Sequence, residues 1–117
     1  MTRFRQGEVR AVERIEDAAE ADQRVLDHLA KLGCDPASPR INNHYLYFAV
    51  SQRAEDVATA LRADGWTTEI GESEGAWLLV ATHVCPLTSR SVRDTRRRLE
   101  ALSSEHGGLY DGWEARV

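Results

Sequence analysis

Four histidines (His28, His44, His83 and His106) and two cysteines (Cys34 and Cys85) are the side chains whose types invite metal or thiol chemistry. His83 and Cys85 stand two apart, a spacing that turns both to one face of a strand. An antiparallel neighbour carrying His44 would set a third donor beside them. The recurrent zinc spacings are missing, with no C-x-x-C and no H-x-x-x-H anywhere in the chain. A histidine satisfied by hydrogen bonds and an inert buried thiol account for the same residues, so no metal and no cofactor is expected. Ser51, Ser89 and Ser91 fall at predicted helix starts, where a hydroxyl caps backbone N–H groups and does not act as a nucleophile. No glycine-rich phosphate loop occurs, and the carboxylates are scattered. The chain reads as a protein without catalysis.

Charge narrows the partners. Nineteen acidic against fifteen basic residues leave a net charge of -4 and a pI near 5.5, unlike a general nucleic-acid binder. Acidic residues gather in two places. One group is Glu13, Glu16, Asp17, Glu20, Asp22 and Asp27; the other is Glu55, Asp56, Asp64, Glu69, Glu72 and Glu74, opposed by Arg62. Solvated surface explains any one of them, but together they are the best candidates for docking a basic protein segment. Basic character concentrates in Arg90, Arg93, Arg96, Arg97 and Arg98, which read as a solvated helix face. Tyr45 and Tyr47, with Trp77 or Trp113, are candidates for an aromatic sheet face of the kind that stacks bases. The acidic balance and the lack of a basic aromatic RNA-binding motif argue against that use. Cover by an N-terminal helix or a second subunit is the simpler account. Two cysteines make no disulfide framework, and no leader or spanning run is read, so a soluble cytoplasmic protein is expected.

The elements that must position these residues centre on 42–51, dense in aromatic and β-branched side chains on both faces, the pattern of an interior strand. No element is assigned to 1–16. Ala18, Ala21, Val25, Leu29 and Leu32 recur at helical spacing over 17–33, and Gly33 stops them. After the central strand come a helix capped by Ser51 and striped by Ala54, Val57, Ala58 and Leu61, with Glu55 and Asp56 in its first turn. A strand from Trp66 to Ile70 follows, then a five-residue turn over 71–75 and a strongly apolar strand over 76–84. A helix begun by Thr88 or Ser89 carries Val92, Leu99 and Leu102 and ends at Gly107-Gly108; a strand over 109–117 closes the chain. One domain spans 1–117. Residues 42–117 follow the order βαββαβ, an α+β ferredoxin-like core: a four-stranded antiparallel sheet, two helices on one face, plus the N-terminal helix. Its first and third strands are central, and these are the two most apolar segments.

Pro39-Arg40 before His44-Tyr45-Leu46-Tyr47-Phe48, the alanine-rich helix ending at Gly65, Trp77 on the following strand, and Gly107-Gly108-Leu109-Tyr110-Asp111-Gly112-Trp113-Glu114-Ala115 together resemble the RraB family, over roughly residues 20–117. The resemblance implies a non-catalytic cytoplasmic protein that binds and inhibits ribonuclease E or a related nuclease, modulating RNA degradation. It carries no catalytic residues. Partner-contact candidates are then Glu55, Asp56, Glu69, Glu72, Glu74, Tyr110, Asp111 and Glu114. Gly112 as a bulge and Trp113 as a core anchor is the structural account of the closing motif. The alternative function is a small-molecule module using the aromatic sheet face of Tyr45, Tyr47 and Trp77.

An interior position for 42–51 has a measurable consequence. Phe48→Ala is expected to lower unfolding free energy by about 3–5 kcal/mol in a denaturant titration, and a much smaller loss would place that strand on an edge.

Overall fold

Residues 8–11 and 18–116 are described by the computed structural model. In chain order the elements are β1 (Glu8–Ala11), α1 (Ala18–Lys31), β2 (Arg40–Phe48), α2 (Ser51–Ala63), β3 (Thr67–Ser73), β4 (Ala76–Cys85), α3 (Ser89–Glu105) and β5 (Leu109–Arg116). The strands form one antiparallel sheet in the order β1-β5-β2-β4-β3. The class is α+β, and both apolar segments, β2 and β4, lie inside the sheet, paired to each other from Arg40–Cys85 to Phe48–Trp77. β1 adds an edge strand on β5 where no element is expected from sequence. Glu13, Glu16 and Asp17 of the first acidic group lie outside the described residues.

Strand pairing decides which face each side chain takes. Leu46, Phe48, Leu79, Ala81 and Tyr110 turn to the helix side and join Ala54, Val57, Ala58 and Leu61 of α2 and Leu99 of α3 in one buried cluster. A second cluster gathers Ala21, Val25 and Leu29 of α1 with Leu87, Val92, Trp113 and Ala115. All three helices among the described residues therefore bank on the same face. This corrects the expected cover: α1 does not lie over Tyr45 and Tyr47. Trp77 is opposite Phe48 and packs on the helix-side cluster, so it does not share a face with the two tyrosines either.

The cause of α1's placement lies in β5. Leu46 faces Tyr110, but His44 faces Trp113, so the single residue Tyr45 stands against Asp111 and Gly112. Gly112 takes φ +98°, which only glycine adopts without strain. This bulge reverses the alternation of the strand. Trp113 and Ala115 point to the helices, and Glu114 points to the opposite face.

Local signals hold with corrections. Thr88 caps α3, its hydroxyl accepting from the Ser91 N–H at 3.2 Å. Ser51 does not cap α2: it is the first helical residue, and Val50 precedes it without a side-chain cap. Glu55 and Asp56 consequently fall past the first turn. The 71–75 loop is also shorter than expected, because β3 continues to Ser73 and only Glu74 (φ 51°) and Gly75 (φ 82°) make the turn. Two positive φ values in succession are the hairpin turn whose twist matches the strands.

α3 ends where the Gly108 N–H reaches the Ser103 carbonyl at 2.7 Å and the Gly107 N–H reaches that of Ser104 at 3.2 Å. Gly107 supplies the left-handed residue (φ +68°) that this closure needs. Gly108 serves a different purpose. A Cβ built there would lie 2.4 Å from Phe48 Cε1 and 2.7 Å from the Tyr47 carbonyl oxygen. The ring has some freedom to move; the β2 backbone has none. Gly108→Ala is expected to destabilise the protein by about 1–3 kcal/mol through overpacking, read from the urea midpoint. An unchanged midpoint would mean β5 does not approach β2 this closely.

Candidate functional site

The potential metal donors do converge. His44 and His83 lie on neighbouring strands with ring centroids 5.4 Å apart, and Cys85 Sγ is 3.4 Å from His83 Nε2. Their other contacts tie them up. His44 Nδ1 shares a 2.8 Å hydrogen bond with the Tyr110 hydroxyl, and the Asn42 amide donates to Cys85 Sγ at 3.3 Å. Trp66 stacks flat on His83 at 3.7 Å. Burial, followed by the nearby His83, holds His44 well below the ordinary histidine range. Burial alone lowers His83 to about 4, and it pushes the Cys85 thiol up. At neutral pH the group is thus two neutral imidazoles and a neutral thiol. A reactive cysteine needs an electropositive setting that favours thiolate, which these neighbours do not supply. Among the described residues, no three His, Cys, Asp or Glu side chains are placed to hold a metal ion. The arrangement works as a packed polar-aromatic layer between sheet and helices.

Residues 71–75 spell Gly-Glu-Ser-Glu-Gly, which fits the Gly-x-Ser-x-Gly pattern. That pattern is a nucleophile elbow only at a sharp strand-to-helix turn. Here Ser73 ends β3, pairs with Ala76 and leads into β4, so its setting is a hairpin.

Asp22 is the one buried acidic residue among the described members of the first group, 5% exposed. Its Oδ1 accepts from Trp113 Nε1 at 2.8 Å and its Oδ2 from Arg96 Nε at 2.8 Å. Arg96 also donates to Glu100 at 2.9 Å. Burial raises the Asp22 carboxyl above its ordinary value, with the Trp113 and Arg96 hydrogen bonds pulling the other way. Asp22 and Arg96 are therefore internal fasteners and not docking groups. The arginine run of α3 is not a uniformly solvated face: Arg96 is buried, Arg98 bonds Asp64, and Arg93 lies 3.5 Å from Asp94.

The partner-contact candidates separate into two sets. Tyr110 (4% exposed) and Glu114 (2%) are buried, which corrects their expected role as contact residues. Tyr110 bonds His44 within the helix-side core, and Glu114 accepts from the Tyr45 hydroxyl on the other face. Asp111 is half-buried at the bulge. Glu55, Asp56, Glu69, Glu72 and Glu74 are all exposed, on α2 and on the outermost strand β3 with its turn. Arg62 sits beside Glu55 at 3.8 Å. On the sheet face opposite the three described helices Tyr45 is buried and Tyr47 half-buried, while Ile41, Val84 and Leu109 are exposed.

A family model described as regulator of ribonuclease activity B matches residues 19–115, from the second residue of α1 to near the end of β5. No curated protein matches the chain. No helix among the described residues is long and apolar enough to cross a membrane.

The depressed histidines link stability to pH. Below an ordinary value of 6.5 the unfolded chain takes up protons that folded His44 and His83 refuse, so their contribution is complete above 6.5 and is lost as pH falls below it, for His83 down to about 4. Together they are expected to lower the urea midpoint between pH 7.5 and 5.5, His83 contributing roughly 1 kcal/mol of the loss. His83→Gln is expected to remove about half of that slope; an equal slope in the variant would mean His83 titrates normally when folded.

Proposed function

This chain belongs to the RraB family, and from that membership we propose that it is a non-catalytic cytoplasmic regulator that binds ribonuclease E, or a related nuclease, and restrains its cleavage of RNA. The observation that carries this reading is the family match across α1 to β5, which takes in the core and the bulged closing strand. We read the 40–116 unit as ferredoxin-like, with the order β5-β2-β4-β3 behind two of the helices. A fold of that kind hosts many functions, so the surface has to supply the mechanism.

The exposed carboxylates of α2, β3 and the 74–75 turn form an acidic edge suited to a basic segment of the nuclease, whether an RNA-binding or a scaffold stretch. Occupying such a segment displaces RNA by competition and needs no chemistry from this protein. The neutral, hydrogen-bonded state of His44, His83 and Cys85 supports the same view, since none is poised as an acid, base or nucleophile. A small-molecule site on an aromatic sheet face draws no support, because Trp77 packs on the opposite side and the Tyr45 hydroxyl is engaged by Glu114.

The test is a cleavage assay with purified ribonuclease E and a labelled RNA. Added protein is expected to slow cleavage, and the effect should fade from about 0.1 to 1 M salt, as the screening length shrinks from ~10 to ~3 Å. The double charge reversal Glu69→Lys, Glu72→Lys is expected to raise the concentration needed for half-inhibition about tenfold. Cleavage that ignores the protein at every concentration would overturn the proposal.

A further inference from the structure

A cleft of about 330 Å³ opens between the second half of α1, the 32–39 connector and the loop from β4 to α3. Its volume is near the lower end of ligand pockets, ~300–1,000 Å³. The Leu87 N–H donates to the Pro36 carbonyl at 3.0 Å, which fixes the connector across the loop and keeps the cleft formed. Leu26, Leu29 and Leu87 give it apolar walls.

Three polar features converge there. Arg40, the first residue of β2, lines the cleft, and its Nε is buried without a hydrogen-bond partner. That nitrogen is enclosed by protein atoms, so polar contact with a ligand falls to the rim. Asp27 and Asp35 stand exposed at the rim. Asp27 accepts from Gln23 Nε2 and Asp35 from the Ala37 N–H, both at 2.9 Å, and neither meets a cation among the described residues.

We propose that this cleft anchors a basic amphipathic segment of the nuclease, an inference that rests on the protein-binding reading above and names where the segment is held. A large apolar side chain fills the space between Leu26, Leu29 and Leu87. Lys or Arg residues flanking the anchor meet Asp27 and Asp35. A uniformly acidic ligand would be repelled at the rim, and a purely apolar one would leave the Asp27 and Asp35 carboxylates without a countercharge. The acidic edge is a separate feature. The hairpin turn and Cys85 are at opposite ends of β4, nine residue steps and roughly 30 Å apart. Charge at the edge steers the encounter, and the desolvated cleft sets how long the complex lasts.

Cys34 lines the cleft and is half-buried, which makes it a reporter. The experiment measures N-ethylmaleimide labelling of Cys34 by peptide mass spectrometry, with and without ribonuclease E. It also follows binding kinetics of the wild-type chain, Asp27→Lys with Asp35→Lys, and Glu69→Lys with Glu72→Lys. Bound nuclease is expected to slow Cys34 labelling about tenfold, the cleft pair to raise the dissociation rate about tenfold, and the edge pair to lower mainly the association rate. Binding that leaves Cys34 labelling and the dissociation rate of the cleft pair unchanged would overturn the cleft while sparing the regulatory proposal. A wild-type chain that does not bind ribonuclease E at all would overturn both.

Discussion

The carboxylate of Asp22, shared between the Trp113 indole and the Arg96 guanidinium, joins α1 to β5 and α3 at one buried point. Two charge-assisted hydrogen bonds offset part of the cost of burying the charges, and losing one partner of such a pair leaves the other stranded in a low-dielectric interior. The bond exists because of a single backbone irregularity. Without the Gly112 bulge, Trp113 would face away from the helices, and Asp22 would have no indole to meet. The closing Tyr-Asp-Gly-Trp-Glu run is thus first a folding device: glycine turns the strand, tryptophan fastens the helix, and glutamate is delivered to the other face beneath Tyr45.

The same strand meets a second constraint at its start. Gly107 closes α3 and Gly108 lets β5 begin against the Phe48 ring, so helix end and strand start share two residues. Between these points sits the layer of His44, His83, Trp66 and Tyr110. Its histidines stay neutral because they are buried, and they serve as flat, hydrogen-bonding aromatics. Polar groups in such a layer specify one register of the sheet, since a slip of one residue would leave each of them unpaired.

With its polar interior committed to packing, the chain meets a partner, on the proposed reading, through its surface. That surface has two regions of different physical character: an exposed acidic edge that acts at a distance, and a small partly apolar cleft that acts on contact. The proposed regulation by occupancy draws on both, the one carried by the outer strand and the other by a helix end braced by a backbone hydrogen bond.

Much of this was legible in the residues. The apolar runs of β2 and β4 set them inside the sheet, because a strand buried on both faces cannot alternate with charge. Helical spacing and glycine stops located three helices, and the exposure of Glu55, Asp56, Glu69, Glu72 and Glu74 follows from their charge. What sequence alone left undecided depends on contacts distant in the chain. A bulge is defined by the strand opposite it, so whether Trp113 and Glu114 faced core or surface could not be counted along β5. The face of Trp77 depended on its pairing with Phe48, and the burial of Asp22 and Arg96, 74 positions apart, on a helix crossing. The cleft beside Arg40 is assembled from three segments that share no local pattern. Local periodicity reports which side chains avoid water; only the assembled sheet decides which of them meet.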